Sequence, residues 1–287
     1  MTDRMKGLIY VGGGIMFLSP DALIIKMSGL EGPSMIFWRG FCAGISLTLL
    51  LVLYYRGEVF RKFRDVGAAG LLVVVFYAIS NSCFTMANTL TVAANVLVIV
   101  ATTPLFSAIF AHVLIGERTS PRTWVASLVA LAGVALVAGE QLSLDAGLGE
   151  LFSLITVMGI SIVFVVIRSS QGVNMLPATA LALIITMPFG FFFYAEPVGA
   201  IPWAYVLIGN LVFIPIAYVG ITVGPRYLPP AETGLLLLLE TVFGTLWVWL
   251  VLSERPTDLG LIGGVIILAA LIGNTLMGMR AERRPAV

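Results

Sequence analysis

Ten long apolar stretches fill almost the whole chain, and the charged residues are confined to the short joints between them. Hydrophobic residues make up 59% of the 287 positions and charged residues only 11%, which leaves too little polar surface to cover a water-soluble globule. A helix needs about 20 apolar residues to cross a bilayer, where only helices and closed barrels satisfy their backbone hydrogen bonds. The apolar runs are continuous rather than alternating, so the sequence predicts an all-α membrane protein.

The predicted spans follow one another closely, and no joint is long enough to hold a soluble domain. Their approximate bounds are 7–26, 33–55, 67–88, 91–115, 122–139, 148–168, 177–194, 203–223, 229–252 and 257–279. We therefore expect the protein to act within the bilayer or at its edge.

The basic residues indicate how the chain is oriented. If the N-terminus is cytoplasmic, thirteen of the 16 Lys and Arg residues fall on the cytoplasmic side, the exceptions being Lys26, Arg39 and Arg255. Cytoplasmic loops of membrane proteins carry an excess of Lys and Arg. We therefore expect both termini to face the cytoplasm.

The chain also contains an internal repeat. Residues 92–137 align without a gap on residues 229–274, a shift of 137 positions. The alignment pairs Ala94 with Ala231, Phe106 with Phe243, and Glu117-Arg118 with Glu254-Arg255. Each half then holds five spans, and an odd number of spans reverses the second half in the membrane.

The predicted architecture is therefore ten transmembrane helices arranged as two inverted five-helix repeats. The first repeat is assigned to residues 1–140, the second to residues 146–280, and a cytoplasmic tail to residues 281–287. Inverted repeats occur in many secondary transporters, whose substrate site lies at the repeat interface near the membrane midplane.

Three short motifs carry a family resemblance. They are Trp38-Arg39, Pro104-Leu105-Phe106 followed by Gly116-Glu117-Arg118, and Leu239-Glu240-x-Val242-Phe243 followed by Ser253-Glu254-Arg255. With these motifs the chain resembles the drug/metabolite transporter superfamily, and within it the ten-helix EamA-type branch. One position departs from the pattern: Thr241 stands where the family often has proline after the acidic residue, so no proline kink is expected there.

The resemblance implies a bacterial inner-membrane exporter of amino acids, other metabolites or small drugs. Among such proteins the chain is most similar to amino-acid exporters, including those for aromatic amino acids. The implied partners are a small zwitterionic substrate and the lipid bilayer. Both a monomer and a homodimer are compatible with the sequence.

Asp21 and Arg39 are ionisable residues within predicted spans, where charge is costly and by default marks function. At 1.5 Å per residue, both lie roughly 8–9 Å from the same end of two antiparallel spans. They are therefore predicted to lie at one height, where ion pairing would lower the cost of burying each charge. The pair either closes the outer side of a pathway or fixes helix packing, and Arg39 alternatively binds a substrate carboxylate.

Glu240 lies about twelve residues from either end of its span, close to the predicted midplane. A carboxylate at that depth can exchange protons or accept a substrate ammonium group. The alternative is a protonated side chain that ties two helices together by a hydrogen bond.

Further polar and aromatic side chains within spans are predicted to line the pathway: Trp38, Tyr77, Asn81, Asn95 and Tyr218. For the amides, a hydrogen bond to another helix is the structural alternative. Pro20 interrupts the first span beside Asp21 and is either a hinge or a passive kink. The two Glu-Arg pairs, Glu117-Arg118 and Glu254-Arg255, are interpreted as structural anchors at helix ends.

Other classes of function fit the sequence less well. One His and two Cys offer no metal site and no His-based catalytic set, so an enzyme is not expected. No Gly-x-x-x-x-Gly-Lys-Ser/Thr loop is present to bind ATP, no cofactor is implied, and a net charge of +1 does not indicate nucleic-acid binding. A passive channel would share the helical bundle but has less need of an inverted repeat. The cargo, the direction of transport and proton coupling are left open.

Overall fold

The apolar stretches fold into α-helices, which satisfy every backbone hydrogen bond within one segment. The computed structural model describes residues 2–30, 32–139, 147–193, 203–253 and 255–283. Its helices are α1 (Asp3–Leu18), α2 (Asp21–Ser28), α3 (Gly32–Tyr55), α4 (Val59–Asp65), α5 (Gly67–Leu90), α6 (Ala93–Val100), α7 (Thr103–Ile115), α8 (Pro121–Ala138), α9 (Leu148–Ser169), α10 (Leu176–Ile185), α11 (Met187–Phe192), α12 (Trp203–Ile208), α13 (Ile214–Val223), α14 (Pro230–Leu237), α15 (Leu239–Leu252) and α16 (Asp258–Arg283).

Eight helical segments of the described part of the chain are long and apolar enough to cross a membrane. Two further stretches account for the difference from the ten predicted spans. The first, Asp3–Ser28, is divided into α1 and α2, and the second, Leu176–Phe192, is apolar but short. The protein is therefore an all-α membrane protein, and the count of ten spans stays a prediction.

Proline explains four of the interruptions within apolar stretches. Pro20, Pro104, Pro188 and Pro215 stand at or next to the start of α2, α7, α11 and α13. Proline has no backbone N–H and its ring clashes with the preceding turn, so it is tolerated only where a helix begins. Ahead of Pro215 the backbone widens into a π-helical turn at Gly209–Phe213.

The interruption between α14 and α15 occurs without a proline. Thr241 stands at the position of Pro104 in the other half, yet the helix still breaks at Leu238. There the Leu238 N–H bonds to the Leu235 carbonyl at 3.2 Å, which is a tighter turn than that of an α-helix. Leu238 lies 137 positions after Ala101, the C-cap residue of α6, so the two interruptions lie at equivalent positions of the predicted repeat.

The two halves of the chain interlock rather than stand apart. The most extensive packing joins α1 to α13, α3 to α10, α5 to α9, α7 to α9 and α8 to α16, and every one of these pairs takes one helix from each half. The core and any cavity within it are therefore built from both halves.

Close approach of α1 and α13 depends on glycine. A Cβ atom added to Gly14 would lie 2.8 Å from the Ala217 carbonyl oxygen and 3.0 Å from the Gly220 Cα, both of them backbone atoms. Backbone cannot move aside as a side chain can, so the two helices would have to separate. A Cβ atom added to Gly13, one position earlier, would meet no atom within 4 Å.

We expect Gly14→Ala to lower the free energy of unfolding by about 1–3 kcal/mol, because it overpacks the α1–α13 crossing. The matched Gly13→Ala change should be neutral or stabilising by up to about 1 kcal/mol, since alanine is the better helix former. Thermal unfolding of the purified variants in detergent measures both effects. Equal stabilities for the two variants would contradict the close approach of α1 and α13 at Gly14.

Candidate functional site

A cavity of about 100 Å³ lies between the two halves. It is bounded by residues of α1, α2, α3, α5, α6, α7, α9, α13, α14 and α15. The lining residues are Leu18, Asp21, Arg39, Tyr77, Ser80, Asn81, Phe84, Val100, Thr103, Thr156, Ile160, Tyr218, Ile221, Leu237 and Glu240. Three ionisable side chains therefore share one largely apolar cavity.

Asp21 and Arg39 are in direct contact at one wall of this cavity. Nη2 of Arg39 donates to both carboxylate oxygens of Asp21, at 2.6 and 2.7 Å. The interruption at Pro20 makes Asp21 the first residue of α2, where the helix N-terminus stabilises a negative charge. The side chains are only 5% and 2% exposed, so each charge is buried and depends on the other.

Two buried donors at the cavity have no hydrogen-bond partner within the described part of the chain. One is Nε of Arg39, and the other is Nδ2 of Asn81. The Asn81 amide is held from its other side, since Oδ1 accepts a 3.1 Å hydrogen bond from the Tyr218 hydroxyl. Buried polar groups are normally satisfied, so an unpaired donor beside a cavity points to an acceptor supplied by a ligand or by water.

Glu240 supplies the third charge. It lies in the first turn of α15, directly after the interruption at Leu238, and lines the cavity. No side chain or backbone group of the described residues hydrogen-bonds or ion-pairs with its carboxylate, although Asp21 and Arg39 are close enough to interact with it electrostatically. Because the charge of Arg39 is already neutralised by Asp21, no cationic side chain among the cavity residues is left to pair with Glu240.

Aromatic rings form much of the remaining wall. The rings of Tyr77 and Tyr218 meet at 5.2 Å between centroids with a tilt of 57°. Phe84 lies on the same face of α5 as Tyr77, two turns further along, and also lines the cavity. An aromatic wall of this kind favours a flat or apolar part of a ligand.

Several lining residues fall in pairs at the spacing of the predicted repeat. The 137-residue shift relates Asn81 to Tyr218, Phe84 to Ile221, Val100 to Leu237 and Thr103 to Glu240, and all eight residues line the cavity. Thr103 is thus the neutral counterpart of Glu240, and its hydroxyl donates to the Val100 carbonyl at 2.5 Å. These four positions therefore match across the halves in place but not in chemistry, since Glu240 has a neutral counterpart.

Six of the eight residues predicted to line a pathway are brought together here, and two are not. Trp38 packs with its ring 4.8 Å from that of Trp203, in an aromatic cluster away from the cavity. Asn95 lies at the start of α6, where Nδ2 donates to Glu150 at 2.7 Å. A role for either residue in transport stays a prediction.

The described Glu-Arg signature residues lie in joints between helices, outside the cavity. Glu117 is ion-paired with Arg168 of α9 at 3.1 Å, and Arg118 is exposed. Arg255 pairs with Asp258 on the surface at 3.2 Å. Glu254 lies outside the described residues.

Sequence reasoning missed several polar lining residues, namely Ser80, Thr103 and Thr156. Their hydroxyl groups look unremarkable in a span because Ser and Thr readily bond to their own helix. For Thr103 a signal did exist, since the repeat places it opposite Glu240. Within the described ranges no group of three or more His, Cys, Asp or Glu side chains is arranged to hold a metal ion.

The chain is similar to known proteins in sequence and in fold. Residues 6–139 match the EamA-like transporter family. The chain is 22% identical over 275 residues to the "Uncharacterized transporter sll1164" of Synechocystis sp., covering 87% of this chain and 77% of that protein. A protein crystal structure superposes on the chain with a TM-score of 0.80 at 20% identity, over 96% of this chain and 98% of the other, which shows a shared fold.

Proposed function

Starting from the EamA-like transporter domain that this multi-pass membrane protein carries, we propose that it is a secondary transporter that exports small metabolites. Amino acids are the substrate class that we expect. The substrate binds in the central cavity, which opens alternately to the two sides of the bacterial inner membrane.

The chemistry of the cavity carries this proposal. Nε of Arg39 and Nδ2 of Asn81 are buried donors without partners, which suit a carboxylate. The Glu240 carboxylate is an acceptor that suits an ammonium group. A solute with both groups satisfies all three, and the rings of Tyr77, Tyr218 and Phe84 accommodate an apolar or aromatic side chain.

Alternating access requires two units that move against each other, and we propose that these are two inverted five-helix halves with ten spans in all. The packing of helices from opposite halves and the paired interruptions at Ala101 and Leu238 support this arrangement. Interrupted helices at a repeat interface are typical of transporter substrate sites. The distribution of basic residues supports cytoplasmic termini.

Flux in proteoliposomes tests the function. We expect saturable efflux of radiolabelled phenylalanine, tyrosine or leucine, competed by unlabelled substrate and absent from protein-free liposomes. Measurements with and without an imposed pH gradient report whether protons are coupled. Correctly folded protein that moves no amino acid would contradict the proposed cargo.

The largely apolar lining favours one alternative, a lipophilic cation or drug as cargo. Leu18, Ile160, Ile221 and Leu237 offer no polar group, and Glu240 would then neutralise the cation. Efflux of a fluorescent lipophilic cation from the same liposomes tests this alternative. Such a cation has no acceptor for the hydrogen-bond donors of Arg39 and Asn81, so these two residues would not favour its binding. A channel would instead give flux that does not saturate.

A further inference from the structure

Of the polar contacts outside the cavity that join the halves of the chain, two lie at opposite ends of the bundle and each contain a carboxylate in the first turn of a helix. We name them the ionic latch (Arg4 and Glu232) and the amide latch (Asn95 and Glu150). We propose that these latches are positioning residues that hold opposite ends of the cavity closed, so that their relative strength decides to which side the empty transporter opens. The proposal rests on the proposed function in one respect, that the cavity opens alternately to two sides.

The ionic latch joins the first turn of α1 to the first turn of α14. Nη2 of Arg4 lies 2.6 Å from Oε2 of Glu232, and both side chains are at least nine-tenths buried. Arg122, at the start of α8, lies 3.8 Å from Oε1 of the same carboxylate and donates to the Met277 carbonyl at 3.1 Å. The contact therefore ties the ends of four helices from both halves.

The amide latch joins α6 to the first turn of α9. Oε1 of Glu150 accepts a hydrogen bond from Nδ2 of Asn95 at 2.7 Å and another from the Thr91 hydroxyl. Oε2 accepts from the backbone N–H of Gly147 at 2.9 Å, which caps α9. Here too a carboxylate in the first turn of a helix contacts the opposite half of the chain.

One residue of each latch is related by the predicted repeat, and the other two lie near the start of the first helix of each half. Asn95 precedes Glu232 by 137 positions, the shift that aligns the halves. Arg4 is the second residue of the first helix of its half, and Glu150 is the third residue of the first helix of the other half. The chemistry differs, since one latch pairs two charges and the other pairs an acid with an amide.

The latches lie at opposite ends of the bundle. Arg168, near the end of α9, donates to the Arg226 carbonyl at 3.1 Å, and Arg226 precedes the start of α14, where Glu232 stands. Glu150 lies 18 residues earlier on α9, which is about 27 Å along the helix. Opening one end of the cavity separates α1 from α14, whereas opening the other separates α6 from α9.

Labelling of a single cysteine in the cavity tests the proposal. Cys42 and Cys83 are replaced by alanine, and Ile160→Cys supplies the reporter in the cavity lining. A membrane-impermeant maleimide is applied to intact spheroplasts and, separately, to inverted membrane vesicles. The ratio of the two labelling rates reports to which side the cavity opens.

We expect Glu232→Gln to release the ionic latch. The labelling rate from the membrane side on which Arg4 lies should then rise about tenfold relative to the rate from the other side. Glu150→Gln should shift the ratio in the opposite direction. Glu58→Gln breaks the exposed pair with Arg61 and should leave the ratio unchanged. If Glu232→Gln does not fold, Arg4→Lys keeps the charge, loses the guanidinium geometry and should shift the ratio in the same direction.

Shifts of the same sign for both latches, or no shift in folded variants, would overturn the proposal. The latches and the proposed cargo can be tested separately, because cysteine labelling needs no transported substrate. Opposite labelling shifts without any amino-acid flux support the latches and overturn the cargo. Amino-acid flux with an unshifted labelling ratio supports the cargo and overturns the latches.

Discussion

Arg39→Met is expected to lower the free energy of unfolding by about 3–5 kcal/mol, which is the cost of leaving one partner of a buried ion pair behind. Asp21 would keep a carboxylate that is 5% exposed and would lose both of its hydrogen bonds from Nη2 of Arg39. Methionine fills a similar length of cavity wall, so the effect reports the lost charge more than lost packing.

Thermal or denaturant unfolding in detergent measures this effect, with Arg61→Met as the control. Arg61 pairs with Glu58 at 2.7 Å, but both side chains are more than half exposed, so this change should cost less than about 1 kcal/mol. Exchanging the pair, with Asp21→Arg and Arg39→Asp in one chain, should recover part of the loss. A double variant no more stable than the worse single variant would mean that the pair does not act as a unit.

Glu240→Gln is expected to reduce the initial rate of amino-acid efflux by about 10- to 100-fold, since a hydrogen bond to a charged group contributes about 1.5–3 kcal/mol. The amide has nearly the same shape but lacks the charge that would bind an ammonium group. Within the described residues Glu240 takes part in no hydrogen bond or ion pair that the change would break, so folding should be preserved.

Efflux from proteoliposomes at substrate concentrations below saturation measures the change. Thr103→Val provides the matched control, because Thr103 is the repeat counterpart of Glu240 in the same cavity and its hydroxyl bonds to its own helix. It should alter the rate by less than about fivefold, which corresponds to the roughly 1 kcal/mol of one neutral hydrogen bond. Undiminished efflux by Glu240→Gln would exclude this carboxylate as the ammonium site.

Much of the candidate site was predictable because position along a helix fixes depth. Counting residues from the ends of spans placed Asp21 and Arg39 at one height and Glu240 near the centre, and all three line the cavity. Depth does not fix direction around a helix axis. Asn81 and Asn95 are both amides within predicted spans, yet one lines the cavity and the other contacts Glu150 at a helix end.

The sequence by itself determined the class of protein, the apolar segments and the interruption at Pro20, because each depends on composition or on spacing along one segment. Only the tertiary structure decided which polar side chains meet across the two halves. Arg4 and Glu232 are 228 residues apart and read as ordinary charges near the ends of their segments, yet they form a buried pair. Such a contact depends on the rotation of each helix about its axis and on which helices become neighbours, and packing between the halves sets both.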